Sequence, residues 1–497
     1  MTGVPASTMR LLGALLLLLA SVAGSSAAPA TAGSPNIVVI MTDDQEDTGS
    51  MAYMPKTLSL IADHGVTFKN SFVNLSLCAP SRSSFLTGQA AHNHGIKANS
   101  PLDQGGWEAF RDKEDNALPV WLKAAGYRTA LIGKYLNRYG QQSTYGAWLS
   151  WLGGQVNVEF TGTSVGNPRD WVPPGWDIWY AFTETRVRYY DYMINDNGSI
   201  LDFDHHPSDY STDVLRERAV RFIKDEASSR DPFFLYIAPK AAHVQGARAI
   251  PSPQYEQALN EVKLPEDPAF NEKDLRRKAL KAPNLSIKSK DDLEKSYRAE
   301  LQSLQSVDDL VAAVGDALKD TGKLDNTVII YTSDNGFLFG DHRLIGKSAA
   351  YEGSLKVPLL MRGPSIPQKE TREQIVNNLD VVATIVDLAG VKPGVAQDGK
   401  SVRPLFASAG APWRSALLFE SPVNRFEPKG NRYTGVRTPT KKYVKYQSGL
   451  EELFDLVADP YELNNHAQDP GHAADLAALR AVHDKLTSCV GDGCWVP

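Results

Sequence analysis

Four short runs of β-branched and aromatic residues limit the folds open to this chain. They are Asn36–Met41 (NIVVIM), Thr129–Gly133 (TALIG), Phe233–Ala238 (FFLYIA) and Thr327–Thr332 (TVIIYT). Each is dominated by β-branched and apolar residues rather than alternating, the pattern of a strand covered on both faces. Amphipathic helical patterns lie between them, among them Asp213–Ala227 and Ser296–Leu318. Doubly covered strands alternating with helices predict an α/β fold, a large mixed, mainly parallel sheet sandwiched by helices. Residues 35–395 are expected to form this domain, with Val172–Trp176 and the charged stretch Glu261–Lys295 as surface insertions near its active rim. Val391–Phe406 then leads to residues 400–497, where short strand-like runs and the amphipathic His472–Leu486 predict a smaller C-terminal α+β subdomain.

The residues after each run carry the chemistry. Asp43 and Asp44 follow the first, Lys134 the second, and Asp334 with Asn335 the fourth; His243 comes a few residues after the third. Open α/β sheets bind ligands at the carboxyl ends of their strands, so these groups are predicted to share one rim. Asp43, Asp44, Asp334 and Asn335 are all oxygen donors, which suits a hard cation such as Ca²⁺ or Mg²⁺ rather than Zn²⁺.

Residues 1–32 read as a signal peptide. Arg10 precedes the apolar run LLGALLLLLA, and Ala28 or Ala32 suits cleavage after small residues. A run of ten residues is too short for a bilayer, which needs about 20. A secreted or extracytoplasmic protein with no stable membrane anchor is expected. A net charge of -6 gives no reason to expect nucleic acid as a partner. Of the three cysteines, Cys489 and Cys494 enclose a short loop and can form a disulfide in an oxidising compartment, which leaves Cys78 as the odd one. Pro80 suits the first turn of a helix, so Cys78 is placed at a helix N-terminus, where anions and thiolates are favoured. Arg82 adds a fork-shaped cation that matches a tetrahedral oxyanion. A thiolate phosphatase loop of the C-x₅-R kind is excluded, because the arginine lies four residues after Cys78.

CAPSRSSFLTG (Cys78–Gly88) matches the C-x-P-S-R-x-x-x-L-T-G signature of the type I sulfatases. PNIVVIMTDDQ, GYRTALIGKYLNRYG, PFFLYIAPKAAH, YTSDNGFLFGDHRLIGK and ELFDLVADPYELNN resemble further sulfatase blocks in the expected order. The chain is identified as a member of this formylglycine-dependent, alkaline-phosphatase-like family. The resemblance implies that a formylglycine-generating enzyme converts Cys78 to an aldehyde during export. Asp43, Asp44, Asp334 and Asn335 would hold a divalent cation, Ca²⁺ ahead of Mg²⁺, with the modified Cys78 completing the shell. One hydroxyl of the hydrated aldehyde would attack sulfur, and the second would let the sulfated intermediate collapse and release sulfate. Arg82 would hold the diolate, Lys134 and Lys347 would grip sulfate oxygens, and His243 would protonate the leaving oxygen. His342 would contact the leaving group.

GKYLNRYG (Gly133–Gly140), VPPGWDIWYAF and YYDYMINDNG resemble the branch acting on 6-sulfated N-acetylglucosamine in heparan-type glycosaminoglycans. Two positions depart from related patterns: Leu136 stands where many arylsulfatases carry histidine, and Lys240 takes the place of a histidine in APKAAHVQG. The expected substrate is a small-molecule or glycan sulfate ester. The alternatives are a broad arylsulfatase and a phosphonate or phosphate ester hydrolase of the same superfamily.

Overall fold

The computed structural model describes residues 34–47, 49–100, 103, 105–141, 169–183, 187–424 and 429–497, so the signal peptide expected at 1–32 lies outside the described residues. The first strands are β1 (Asn36–Thr42), β2 (Gly65–Phe72), β3 (Arg128–Gly133), β4 (Ile178–Thr183), β5 (Tyr192–Asp196) and β6 (Ser199–Phe203). They are followed by β7 (Phe233–Ala238), β8 (Thr327–Ser333), the small hairpin β9 (Leu338–Phe339) and β10 (Ile345–Gly346), then β11 (Leu359–Arg362) and β12 (Glu370–Asn377). Ten of these form one mixed sheet in the order β12-β2-β11-β8-β1-β7-β3-β4-β5-β6.

The four runs singled out in the sequence are β1, β3, β7 and β8, and they sit side by side in the parallel centre. Every residue of β1, β7 and β8 is buried. Alternate side chains of β1 serve opposite faces. Ile37 and Val39 join the core with Phe85, Leu122 and Ile385, whereas Val38 and Ile40 join the core with Leu215, Phe222 and Leu304. One face is thus covered by the Cys78–Thr87 and Asn378–Ala389 helices, the other by Ser211–Asp225 and the long Ile287–Asp320 helix.

β2 has no counterpart among the runs read from the sequence. It is antiparallel to β11, which is antiparallel to β8, so β2 points the same way as the parallel core and leads towards Cys78 at the same edge. The Ile287–Asp320 helix begins inside the charged stretch assigned to an insertion. VPPGW is also misplaced by the sequence reading. It precedes β4, which is parallel to β3, so it lies at the opposite edge from the rim, and Trp176 packs on Phe234 with ring centroids 6.0 Å apart.

The C-terminal sheet comprises β13 (Leu417–Glu420), β14 (Tyr433–Arg437), β15 (Lys441–Tyr446) and β16 (Glu451–Asp455), all antiparallel in that order. The Ala473–Leu486 helix packs on it, and a disulfide joins Cys489 to Cys494. This smaller subdomain grips the loop after β10. The Tyr433 hydroxyl donates to Ser348 O at 3.1 Å, and Arg437 pairs with Glu352 at 3.1 Å. No described helix is long and apolar enough to cross a membrane.

Gly133, the last residue of β3, has φ 121°, and a Cβ there would stand 2.1 Å from the Ala238 carbonyl oxygen. The close approach lets β3 and β7 meet just before Lys134. Gly133→Ala is expected to destabilise the fold by about 3 kcal/mol, read from the midpoint of denaturant unfolding; an unchanged midpoint would contradict this account of the turn.

Candidate active site

The carboxyl edge of the sheet gathers a buried cluster of charged groups. Asp43, Asp44, Cys78, Arg82, Lys134, Asp334 and Asn335 are each no more than 3% exposed. β1 and β8 run in register up to Thr42 and Ser333, which puts Asp43-Asp44 beside Asp334-Asn335. The backbone N–H of Asp44 donates to Asp334 Oδ1 at 3.2 Å, and Asn335 Nδ2 donates to Asp44 Oδ1 at 2.7 Å. β3 supplies Lys134, whose Nζ lies 2.5 Å from Asp43 Oδ2 and 3.9 Å from Asp334 Oδ2.

Cys78 opens the Cys78–Thr87 helix, with Pro80 in its first turn as the sequence requires. Leu77 caps the helix without a side-chain hydrogen bond, and the backbone N–H of Ala79 donates instead to Asn99 Oδ1 at 2.8 Å. Arg82, on the same helix, donates from Nε to Asp334 Oδ2 at 2.8 Å. Its Nη1 donates to Lys134 O at 3.1 Å and to the Tyr236 hydroxyl at 3.2 Å, and its Nη2 is buried with no partner. Lys347, delivered by the loop after β10, has its Nζ 2.9 Å from Cys78 Sγ and also bonded to Asp44 Oδ1.

The charges balance one another. Burial pushes the Asp43 carboxyl up, but Lys134, His243 and Arg82 outweigh it and hold it well below the usual range. Burial likewise opposes ionisation of Asp44, and Lys347 and His243 reverse that. For the Cys78 thiol burial wins over Lys134 and Lys347, so its pKa is raised. Burial thus disfavours the thiolate of an unmodified Cys78, which weighs against the thiolate role that its helix N-terminus first suggested.

His243 Nε2 lies 3.5 Å from Asp44 Oδ2, and its Nδ1 donates to Val244 O at 2.6 Å. Burial first, with Lys240 and Lys347 adding to it, lowers the imidazole to about 4 against the pull of Asp44 and Asp43. His342 is not brought into hydrogen-bond contact with this cluster. It is buried, pairs through Nδ1 with Glu272 at 2.6 Å and stacks on Tyr351 at 3.9 Å.

The carboxylate and amide oxygens of Asp43, Asp44 and Asn335 suit a hard divalent cation. Ligand atoms of Asp43, Asp44, Cys78 and His243 lie within 4.8 Å of one another. Asn335 Oδ1 is buried without a hydrogen-bond partner, an amide oxygen left over beside these carboxylates. Such an orphaned acceptor among oxygen donors is accounted for by a metal ion.

Residues 35–391 match the sulfatase family profile, and 340–489 match the profile of the N-sulphoglucosamine sulphohydrolase C-terminal region. N-acetylglucosamine-6-sulfatase of Homo sapiens is 34% identical over 528 residues, covering 97% of this chain and 90% of that protein. The chain belongs to the sulfatase family. This sulfatase is therefore a sulfuric ester hydrolase. Its fold is similar to that of a protein solved in complex with its substrate D-glucosamine-2-N,6-O-disulfate, with a TM-score of 0.71 at 23% identity over 91% of this chain and 97% of the other. It is also similar to the phosphonate monoester hydrolase of Silicibacter pomeroyi, with a TM-score of 0.67 at 22% identity over 92% and 96% of the two chains. At these identities the structural likenesses establish the fold alone.

Three groups at the sulfatase site escaped the sequence reading as site residues. Tyr236 lies inside the all-apolar β7 and reads there as a core aromatic, yet its hydroxyl accepts from Arg82. Lys240 was visible only as a departure from a histidine pattern; it is 5% exposed and lines a cavity with His243 and Lys134. Arg188 lines the same cavity, although it lies in a stretch with no periodic signal of its own.

Proposed function

We propose that this sulfatase is secreted and releases sulfate from a sulfated sugar, 6-sulfated N-acetylglucosamine or a close derivative, using formylglycine made from Cys78. The observation that carries the reading is the Lys347 Nζ to Cys78 Sγ contact of 2.9 Å at a helix N-terminus ringed by Asp43, Asp44 and Lys134. The N-acetylglucosamine-6-sulfatase relative and the GKYLNRYG block support the sugar. The apolar run after Arg10 supports export. When present, formylglycine supplies a hydrated aldehyde as nucleophile, and the cation withdraws charge from a bound sulfate.

The chain's own residues do the rest. Asp43, Asp44, Asp334 and Asn335 hold the cation, Ca²⁺ by their all-oxygen chemistry. Lys134 and Lys347 bind sulfate oxygens through fixed charge in a site where water is scarce. Arg82 pairs with Asp334 and opposes the burial and the Asp43 charge that raise that carboxyl, and its buried Nη2 remains without a partner among the described residues. His243 handles the proton of the departing alcohol oxygen. The negative charge of a bound sulfate raises its imidazole from the low value it has in the free site, so that Nε2 can carry that proton.

Mass spectrometry of the Cys78 peptide from natively exported protein is expected to show the aldehyde. An intact thiol in active enzyme would refute the proposed nucleophile. Sulfate release from N-acetylglucosamine 6-sulfate is expected to exceed turnover of aryl sulfates and aryl phosphonates; a faster phosphonate would overturn the substrate class. Calcium at a hundredfold excess over its Kd is expected to stabilise the protein by about 2.7 kcal/mol, seen as a rise in Tm that a chelator reverses. No response to calcium, with one to magnesium, would reassign the ion.

A further inference from the structure

Beside the cluster lies a cavity of about 660 Å³ whose lining includes Lys134, Arg138, Arg188, Lys240 and His243. Asp43 is the only carboxylate lining it among the described residues, and Lys134 already occupies that carboxylate. Arg138 and Arg188 form no ion pair among the described residues, and Lys240 Nζ is spent only on Val244 O at 3.2 Å. Glu108 feels the charge of Arg138 without pairing to it. Arg138 and Arg188 are half-buried and Lys240 is buried, with Asp43 and Asp44 the carboxylates whose charge acts on Lys240. Three cations facing one cleft repel each other and favour the entry of an anion. The proposed function already assigns Lys134 and Lys347 to the scissile sulfate, which leaves these three cations for another group.

We propose that this cavity is a second anion subsite, which takes a sulfate or carboxylate carried by the same sugar as the scissile ester or by its neighbour. The proposal rests on the reading of a sulfated sugar as substrate and narrows it to sugars with at least two negative groups. Arg138 and Arg188 present planar forks that match either oxyacid group bidentately, and Lys240 closes the wall nearest the reacting centre. Arg138 follows directly on Asn137 in GKYLNRYG, at the turn that leaves Lys134, and it adopts φ 73°. Lys134 and Arg138 are therefore delivered to the cavity by one short segment of chain.

Binding to full-length, calcium-loaded Cys78→Ala protein tests this without turnover. Isothermal titration would compare N-acetylglucosamine 6-sulfate with its N-sulfated counterpart and with a 6-sulfated disaccharide bearing a uronate. At least one doubly anionic ligand is expected to bind about tenfold or more tightly than the singly anionic one. That advantage should shrink towards unity in Arg138→Gln/Arg188→Gln and with rising salt. Gain with the N-sulfate alone names sulfate as the second group, and gain with the uronate alone names carboxylate. Equal affinities for all three, or an advantage that survives the double substitution, would overturn the subsite. Failure of the wild-type enzyme to release sulfate from any sugar is a separate result, and it refutes the proposed substrate while the binding comparison still judges the cavity.

Discussion

Cys78→Ala is expected to lower sulfate release by at least about a thousandfold, because it removes the group on which covalent catalysis depends. The side chain is completely buried, and alanine is smaller, so the helix that begins at Cys78 should still form. Cys78→Ser is the more informative partner. Its hydroxyl also sits 2.9 Å or so from the Lys347 ammonium if the cysteine geometry is kept. A serine can accept sulfate once, but its ester has only water to release it, whereas an aldehyde hydrate carries a second hydroxyl. The serine variant is therefore expected to gain the mass of one SO₃ on incubation with substrate and then stall, and the alanine variant to gain nothing. Steady turnover by Cys78→Ala at the wild-type rate would refute Cys78 as the reacting position.

Arg82→Ala is expected to damage stability and activity together. Arg82 is 1% exposed and is bonded to Asp334, to the Lys134 carbonyl and to Tyr236. Removing it leaves Asp334 buried beside Asp43 with one less counter-charge. Breaking a buried ion pair by deleting one partner costs about 3–5 kcal/mol. Loss of a fixed donor at the reacting centre adds roughly a hundredfold or more in kcat. Both should be measured in calcium, by denaturant unfolding and by sulfate release. Arg82→Lys separates the two effects: it restores a charge near Asp334 but not the fork that reaches Asp334, Lys134 and Tyr236 at once. It is expected to recover more of the stability than of the rate. Full recovery of both would show that Arg82 acts as charge alone.

Much of the fold was legible because its centre is buried on both faces. β1, β3, β7 and β8 are dominated by apolar residues, so they stand out against amphipathic helices, whereas their spatial order β8-β1-β7-β3 is not set by the alternation along the chain. β2 was missed for the opposite reason. Its burial falls away at Lys69–Asn70, where Lys69 is exposed, so its run is broken by polar residues. The start of the Ile287–Asp320 helix was taken for an insertion because only Leu293 of its first turns is buried; the other positions are charged or exposed. VPPGW looked like a surface loop, yet Trp176 is buried against β7. Proline and glycine mark the turn without telling which edge of the sheet the turn occupies.

The sequence by itself determined the parallel sheet and the strand-end acids at one rim, because both follow from local periodicity and a rule about strand ends. It also determined the family, because CAPSRSSFLTG and its companion blocks are contiguous in the chain. Only the tertiary structure decided which distant groups meet. Lys347 and Cys78 are 269 residues apart, yet they touch at 2.9 Å. His342, five residues before Lys347, is turned instead to Glu272 and Tyr351. Arg138, Arg188 and Lys240 come from three separate loops, and nothing local in any of them shows that the other two share its cavity. Motifs record contacts between near neighbours in sequence; a cavity's net charge is a sum over chain segments that only folding brings together.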